Sequence, residues 1–277
     1  MNIVAKENTV QMHASNQHGE KIKIEVGKTY QSAKCGKFSV LEIVNSTEVK
    51  IKFSITGFIR TARAASIARG QVKDPMMPVV YGVGFLGDGN FTATVGRVPT
   101  KAYSTWYQMI RRCYDEKSLK RNPNYIGCEV CEEWRNFQNF AEWFNEKAQK
   151  STSDINLDKD ILSRGNKVYS PSLCLLVPGV VNKFFISFDR STGKHLTGAT
   201  MRGDGRFEAF CRDFTGNSKF SLGTFDTEIE AHNAWRKKKS EMVTTLAEMV
   251  DDKEISAAIL DWKMHLHPLN PINNNRL

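Results

Sequence analysis

The 277-residue chain reads as an α+β protein of several small units, and three observations predict this. Residues 20–70 alternate apolar with polar at period two ("KIKIEVGKTY", "KFSVLEIV", "EVKIKFSI") and break at "GK", "CGK", "NST" and "TG", the pattern of short strands joined by turns. Residues 100–149 change to helical spacing in two stretches. Two later stretches return to strands and end in a helix: a strand–loop–strand–helix run over 156–182, and three short strands with a helix over 196–249. The expected layout is a small N-terminal β-barrel, a central ββα unit with flanking helices, and a C-terminal three-stranded sheet plus helix. The length leaves room for two or three domains of on the order of 100 to 150 residues each.

Residues 1–19 are polar and mixed, and are expected to form a flexible leader. Residues 20–75 hold the barrel strands, since short strands on this spacing close into small Tudor-like barrels. This is the most basic part of the chain, with eleven Lys or Arg against five Asp or Glu. Lys50, Lys52, Arg60, Arg63 and Arg69 are its candidate backbone contacts. Residues 76–99 are rich in Pro and Gly and are expected to be a linker.

In "TKAYSTWYQMIRRCYDE" the apolar stripe is Tyr103, Trp106, Ile110 and Cys113; in "EEWRNFQNFAEWFNEKAQ" it is Trp134, Phe137, Ala141 and Phe144. Both stripes predict amphipathic helices that face a core. Arg111 and Arg112, on the first of them, are candidate DNA contacts. Further on, Thr227 and Glu230 make a capping box for the helix that follows the last strands. Residues 251–277 are expected to form a final helix, "EISAAILDWKMH", and a frayed tail.

The net charge of +9 suits a polyanionic partner. The last 37 residues reverse the sign, with three basic against six acidic side chains, so that end should turn away from a phosphate backbone. The polar start predicts no export leader, and no apolar run of about 18 residues occurs in the sequence. The expected setting is a cytoplasm with reduced cysteines.

The segment "NLDKDILSRGNKVYSPSLCLLVPGVVN" (156–182) has the order of a metal-binding turn. An acidic residue ends the first strand and an oxygen donor opens the helix, the arrangement that holds one divalent cation against a scissile phosphate. Asp158 and Asn182 would be its ligands for Mg²⁺ or Mn²⁺. Lys159 stands where a histidine base would, and no histidine occurs between His18 and His195. Lysine is charged at neutral pH, so Lys159 would contact phosphate or stabilise the transition state, leaving metal-bound hydroxide or Asp160 as base.

Residues 103–182 resemble phage-encoded HNH-type homing endonucleases of a divergent branch, on the motifs "WYQMIRRCY", "YIGCEVCEEWRNFQNF" and "LDKDILSRGNKVYSPSLCLLVPGVVN". By that resemblance Asp158 matches the metal-binding acid, Asn182 the last member of the H-N-H set, and Leu173 the middle Asn. The resemblance implies hydrolysis of double-stranded DNA in a bacterial host's cytoplasm. Lys159 and Leu173 depart from the pattern, which leaves a second reading open: a degenerate nuclease fold that binds DNA or regulates without cutting. The thiols of Cys113, Cys128, Cys131 and Cys174 have two readings as well, a structural zinc site or small buried core residues.

Residues 196–249 resemble the Apetala-type DNA-binding domain, on "GRFEAFCR" and "LGTFDTEIEAHNAW", which implies a strand face laid in the major groove. Matched strand by strand, the groove-facing residues are Thr200, Arg202, Phe210, Arg212, Lys219 and Ser221. Period two gives the same face without the family. Phe207, Ala209 and Cys211 point to one side, while Arg206, Glu208, Phe210 and Arg212 point to the other. Arg reads guanine and Phe touches a thymine methyl, so a modest sequence preference is expected. The run "RKKKS" (236–240) reads either as a phosphate contact or as a solvated helix face.

Overall fold

The computed structural model describes residues 11–148, 154–186 and 194–266, a mixed α+β chain with small sheets. Strands β1 (Gln11–Ser15) and β2 (Lys21–Glu25) form an antiparallel hairpin. Strands β3 (Thr29–Ser32), β4 (Gly36–Ile43), β5 (Glu48–Phe53) and β6 (Ile59–Arg63) follow as a consecutive antiparallel sheet. Val49, Ile51 and Phe53 of β5 face the core while Lys50 and Lys52 face solvent, as their alternation requires.

The barrel expectation is corrected here. Among the described residues no sheet closes, and β6 pairs only with β5. The chain passes from β6 straight into helix α1 (Ala64–Ala68). That helix packs on β1, β2 and β6, and its Ala64 and Ile67 are buried in the same core. The apolar face is thus covered by a helix, and no further strand ladder is needed to bury it. The leader expectation changes too, because residues 11–15 are β1; residues 1–10 lie outside the described part.

Residues 76–99 pack onto the central unit and are not a free linker. Val80 lies in the central core. The Phe85 N–H donates to Arg135 O (3.0 Å), and the Phe137 N–H donates to Phe85 O (2.9 Å). A Cβ at Gly87 would collide with Asn136, so only glycine lets the loop approach this closely. The short hairpin β7 (Thr94–Val95) and β8 (Val98–Pro99) leads into α2 (Lys101–Tyr114), whose N-cap Thr100 accepts a hydrogen bond from the Tyr103 N–H (3.2 Å).

Helix α2 and helix α5 (Phe137–Ala148) pack along their expected stripes, with Trp106, Ile110, Phe137, Ala141 and Phe144 all buried. The Trp106 indole N–H donates to Trp134 O (2.7 Å), so the buried Trp106 ring leaves its polar atom paired. Between the helices run α3 (Glu116–Arg121), β9 (Glu129–Val130) and α4 (Glu132–Arg135).

Next, β10 (Ile155–Asp158) pairs antiparallel with β12 (Leu175–Pro178), and helix α6 (Gly179–Ile186) follows directly. Strand β11 (Val168–Tyr169) runs parallel to β9 and ties the intervening loop to the central unit. The C-terminal sheet has the order β13 (Ala199–Met201), β14 (Phe207–Arg212), β15 (Lys219–Phe225), all antiparallel, with a bulge between Ala209 and Phe210. Helix α7 (Glu228–Glu248) covers its inner face, and the Thr227/Glu230 capping box is formed. Helix α8 (Lys253–Asp261) and a 3-10 turn over Trp262–Leu266 complete the described chain; the tail beyond residue 266 lies outside it.

One core joins the ββα unit to the C-terminal unit. Ile161, Leu175, Val181, Phe184 and Phe185 are buried with Cys211, Trp235, Met242, Ile259 and Trp262, and the Trp262 indole N–H donates to Ile161 O (2.9 Å). No helix among the described residues is long and apolar enough to cross a membrane.

Candidate functional site

The hairpin register sets the turn. Asp158 ends β10 opposite Leu175, and its Oδ1 accepts hydrogen bonds from the Asp160 N–H (2.8 Å) and the Ile161 N–H (2.9 Å). Its Oδ2 has no hydrogen-bond partner among the described residues. Burial pushes the Asp158 carboxyl above the usual carboxylate range, and the two backbone donors offset this only in part. Asn182 lies in the first turn of α6, and its amide has no hydrogen-bond partner among the described residues. Val181 beside it shares a core with Ile161 and Leu175, the residues that flank Asp158 along the chain and across the ladder. Helix α6 packs against both strands of the hairpin.

Lys159 is not where a phosphate contact would be. It is 7% exposed, and its ammonium donates to Asp160 Oδ1 (2.7 Å) and Asn166 O (2.6 Å). The Asn166 amide returns bonds to Lys159 O (2.9 Å) and Val168 O (2.8 Å). Lys159 and Asn166 thus staple the loop between β10 and β11, a role that the sequence did not reveal for either. Asp160 remains 44% exposed at its side chain and keeps one oxygen free of hydrogen bonds among the described residues.

The oxygen donors of Asp158 and Asn182 fit a hard divalent cation. Mg²⁺ in particular is held by one or two protein oxygens plus substrate phosphate and water, not by a full protein cage. Among the described residues no group of three or more His, Cys, Asp or Glu is placed to hold a metal ion. That bears on the cysteines, where a zinc site needs four donors around one point. Cys113, Cys128 and Cys174 are buried in the central core and Cys131 packs against it, yet they are not gathered as a ligand set. Burial pushes the Cys113 and Cys174 thiols up to about 12, so they act as small apolar groups. All six cysteines are free.

Strand β14 places Ala209 and Cys211 inward and Phe210 and Arg212 outward. The outer face divides at the bulge. At one end Arg202 pairs with Asp204 (3.5 Å) and Glu208 (3.7 Å), Arg206 pairs with Asp226 (3.1 Å), and the Ser221 hydroxyl donates to Glu208 (2.9 Å). At the other end Arg212 donates to Gly216 O (3.1 Å), and Lys219 lies 3.5 Å above the Phe210 ring. Neither has a carboxylate partner among the described residues. Thr200 is exposed across from Glu208.

This second end opens on a groove of about 690 Å³ whose lining includes Lys183, Thr200, Phe210, Arg212, Lys219 and Lys239. Lys183 and Lys239 were not singled out from the sequence. Lys239 belongs to the "RKKKS" run but is 1% exposed, with its ammonium 4.2 Å from the Phe184 ring. Its spacing was the available signal: Ala231, Trp235, Lys239 and Val243 stand four apart, and all are buried. Arg236 also turns inward and donates to His265 O (2.7 Å). On α2, Arg111 pairs with Asp115 (3.5 Å) and Arg112 lies 5.7 Å from the Tyr125 ring centre. Both are half-buried and drawn into the fold.

No protein-family model matches the chain, and no curated protein or solved structure does either.

Proposed function

We propose that this protein binds double-stranded DNA and hydrolyses its phosphodiester bonds with Mg²⁺ or Mn²⁺, as an endonuclease of the HNH type with an Apetala-type DNA-reading sheet. The observation that carries the reading is the ββα unit. Its first strand ends on Asp158 and its helix carries Asn182 as its fourth residue, each with an oxygen free to bind an ion. A divalent cation held there supplies positive charge where the transferring phosphate gains negative charge.

The chain's own residues supply the rest. The Asp160 and Ile161 N–H groups fix Asp158 in one rotamer, so its second oxygen points in a constant direction. Lys159 and Asn166 hold the loop shape. Asp160, half-exposed beside the turn, is the acceptor for the proton of the attacking water. Outside the turn, the outer face of the C-terminal sheet places the duplex.

A second reading has one observation in its favour. The residue in the base position is a lysine whose ammonium is already bonded to Asp160 and Asn166, which suits a fold that binds DNA without turnover. Incubating the protein with supercoiled plasmid and each cation separates the two. The first reading expects nicked product that disappears in Asp158→Ala and Asn182→Ala. The second expects salt-sensitive binding, indifferent to chelator, with no product in either cation.

A further inference from the structure

The groove at the open end of the C-terminal sheet has no role in the reading above, and its composition is specific. Four cationic side chains line it, each from a different element: Lys183 from α6, Arg212 from β14, Lys219 from β15 and Lys239 from α7. No Asp or Glu is among its lining residues in the described chain. Asp213, next to Arg212 in the chain, has its oxygens occupied by the following turn, where they accept from the Thr215 hydroxyl (2.8 Å) and from the Asn217 (3.1 Å) and Ser218 (3.3 Å) N–H groups.

The contrast with the other end of the same sheet is informative. There Arg202 and Arg206 already have Asp204, Glu208 and Asp226 within ion-pair distance, so a phosphate would have to displace a carboxylate. At the groove, Arg212 and Lys219 would gain a phosphate without losing an ion pair. Thr200, exposed on β13, adds a hydroxyl to the lining.

The groove is also connected to the turn. Lys183 follows Asn182 in α6, so a single helical turn presents a candidate metal ligand and a groove cation. We infer that this groove holds backbone phosphates of the bound DNA and guides one strand from the C-terminal sheet toward the Asp158 turn. The inference rests on the DNA-binding reading and adds to it a phosphate track made of the exposed Lys183, Arg212 and Lys219.

The test uses the full chain and three exposed positions, so folding is not at stake. Duplex binding is measured over a salt series for the wild type, for Lys183→Gln/Arg212→Gln/Lys219→Gln, and for Arg202→Gln/Arg206→Gln. A phosphate track predicts that the groove triple variant loses roughly tenfold or more in affinity. Its salt slope should shrink by roughly 0.9 for each lost phosphate contact, while the variant at the paired end changes little. If the wild type binds and the triple variant keeps both affinity and slope, the track is refuted while DNA binding stands. A wild type that fails to bind duplex even at low salt refutes both. Binding of a free nucleoside triphosphate that leaves duplex affinity unchanged would assign the groove to a small anion and overturn the proposal. Normal thermal unfolding of the triple variant keeps the comparison valid.

Discussion

The turn at Asp158 and the groove at the open end of the C-terminal sheet treat charge in opposite ways. At the turn, charge serves the loop: Asp158 caps two N–H groups, and Lys159 is closed between Asp160 and Asn166 O. At the groove, exposed Arg212 and Lys219 face a cleft with no carboxylate partner among the described residues. Internally satisfied charges give a rigid geometry, which chemistry needs. Exposed unpaired ones give affinity and salt dependence, which binding needs. The two tasks are therefore separable by mutation.

The largest effect that would break this comparison is at Asp158. Asp158→Ala should lower nicking by roughly a hundredfold or more, because ligand loss exceeds the 10–100-fold typical of outer-shell partners. Duplex affinity in chelator should stay within about twofold. Filter binding and plasmid assays on one preparation check both, and a parallel loss of binding would show that the two regions are not separate.

Lys159 sharpens the contrast. Replacing it with Met removes the staple and leaves Asp160 half-solvated. The expected cost is about 1–2 kcal/mol of stability in denaturant melts, with an unchanged salt slope. A reduced slope would mean that Lys159 reaches phosphate after all.

A smaller effect is expected from the N-terminal sheet, whose outer face carries Lys50 and Lys52. Neither forms an ion pair among the described residues. Glu42 lies directly opposite Lys50 in the ladder, so this face is less positive than the groove. Lys50→Gln/Lys52→Gln should reduce affinity by less than about tenfold. A loss larger than that of the groove variant would move the main binding surface to this sheet.

The smallest effect concerns pH. His232 is buried, its Nδ1 lies 2.7 Å from Thr197 O, and its ring stacks on Trp235. Burial lowers its pKa below 6.5, so the folded state favours the neutral ring. Protons bind more readily in the unfolded state. The His232 contribution is thus complete above about pH 6.5 and declines as pH falls through that value. Thermal melts between pH 7 and 5 should show a shallower decline in His232→Gln than in the wild type.

What was legible in the sequence was short-range. Thr227 and Glu230 are three residues apart, and the capping box they predict forms. Trp106, Ile110 and Cys113 share a helix face because 3.6 residues make a turn. Ala209 and Cys211 turn inward because strands alternate. The metal-turn reading needed only the order of strands and helix, and that order is present.

Long-range pairing was not legible. Period two in residues 20–70 marked strands but not the partner of β6, and α1 took the place of a closing strand. "RKKKS" looked like a solvated face because charge was weighed before spacing, while Lys239 follows the i+4 ladder of Trp235 into the core. Lys159 resembled a phosphate contact because its two partners, Asp160 and Asn166, surround it only after the loop folds. Pro and Gly in residues 76–99 suggested a linker, yet Gly87 is there to permit close approach to Asn136.

The most direct test of the central claim is whether the turn holds one ion. Titration of Mn²⁺ followed by electron paramagnetic resonance, in the wild type and in Asp158→Ala and Asn182→Ala, reads this without requiring turnover. The expected result is one bound Mn²⁺ in the wild type and loss of that site in both variants. Equal Mn²⁺ binding in all three proteins, or none in the wild type, would contradict it.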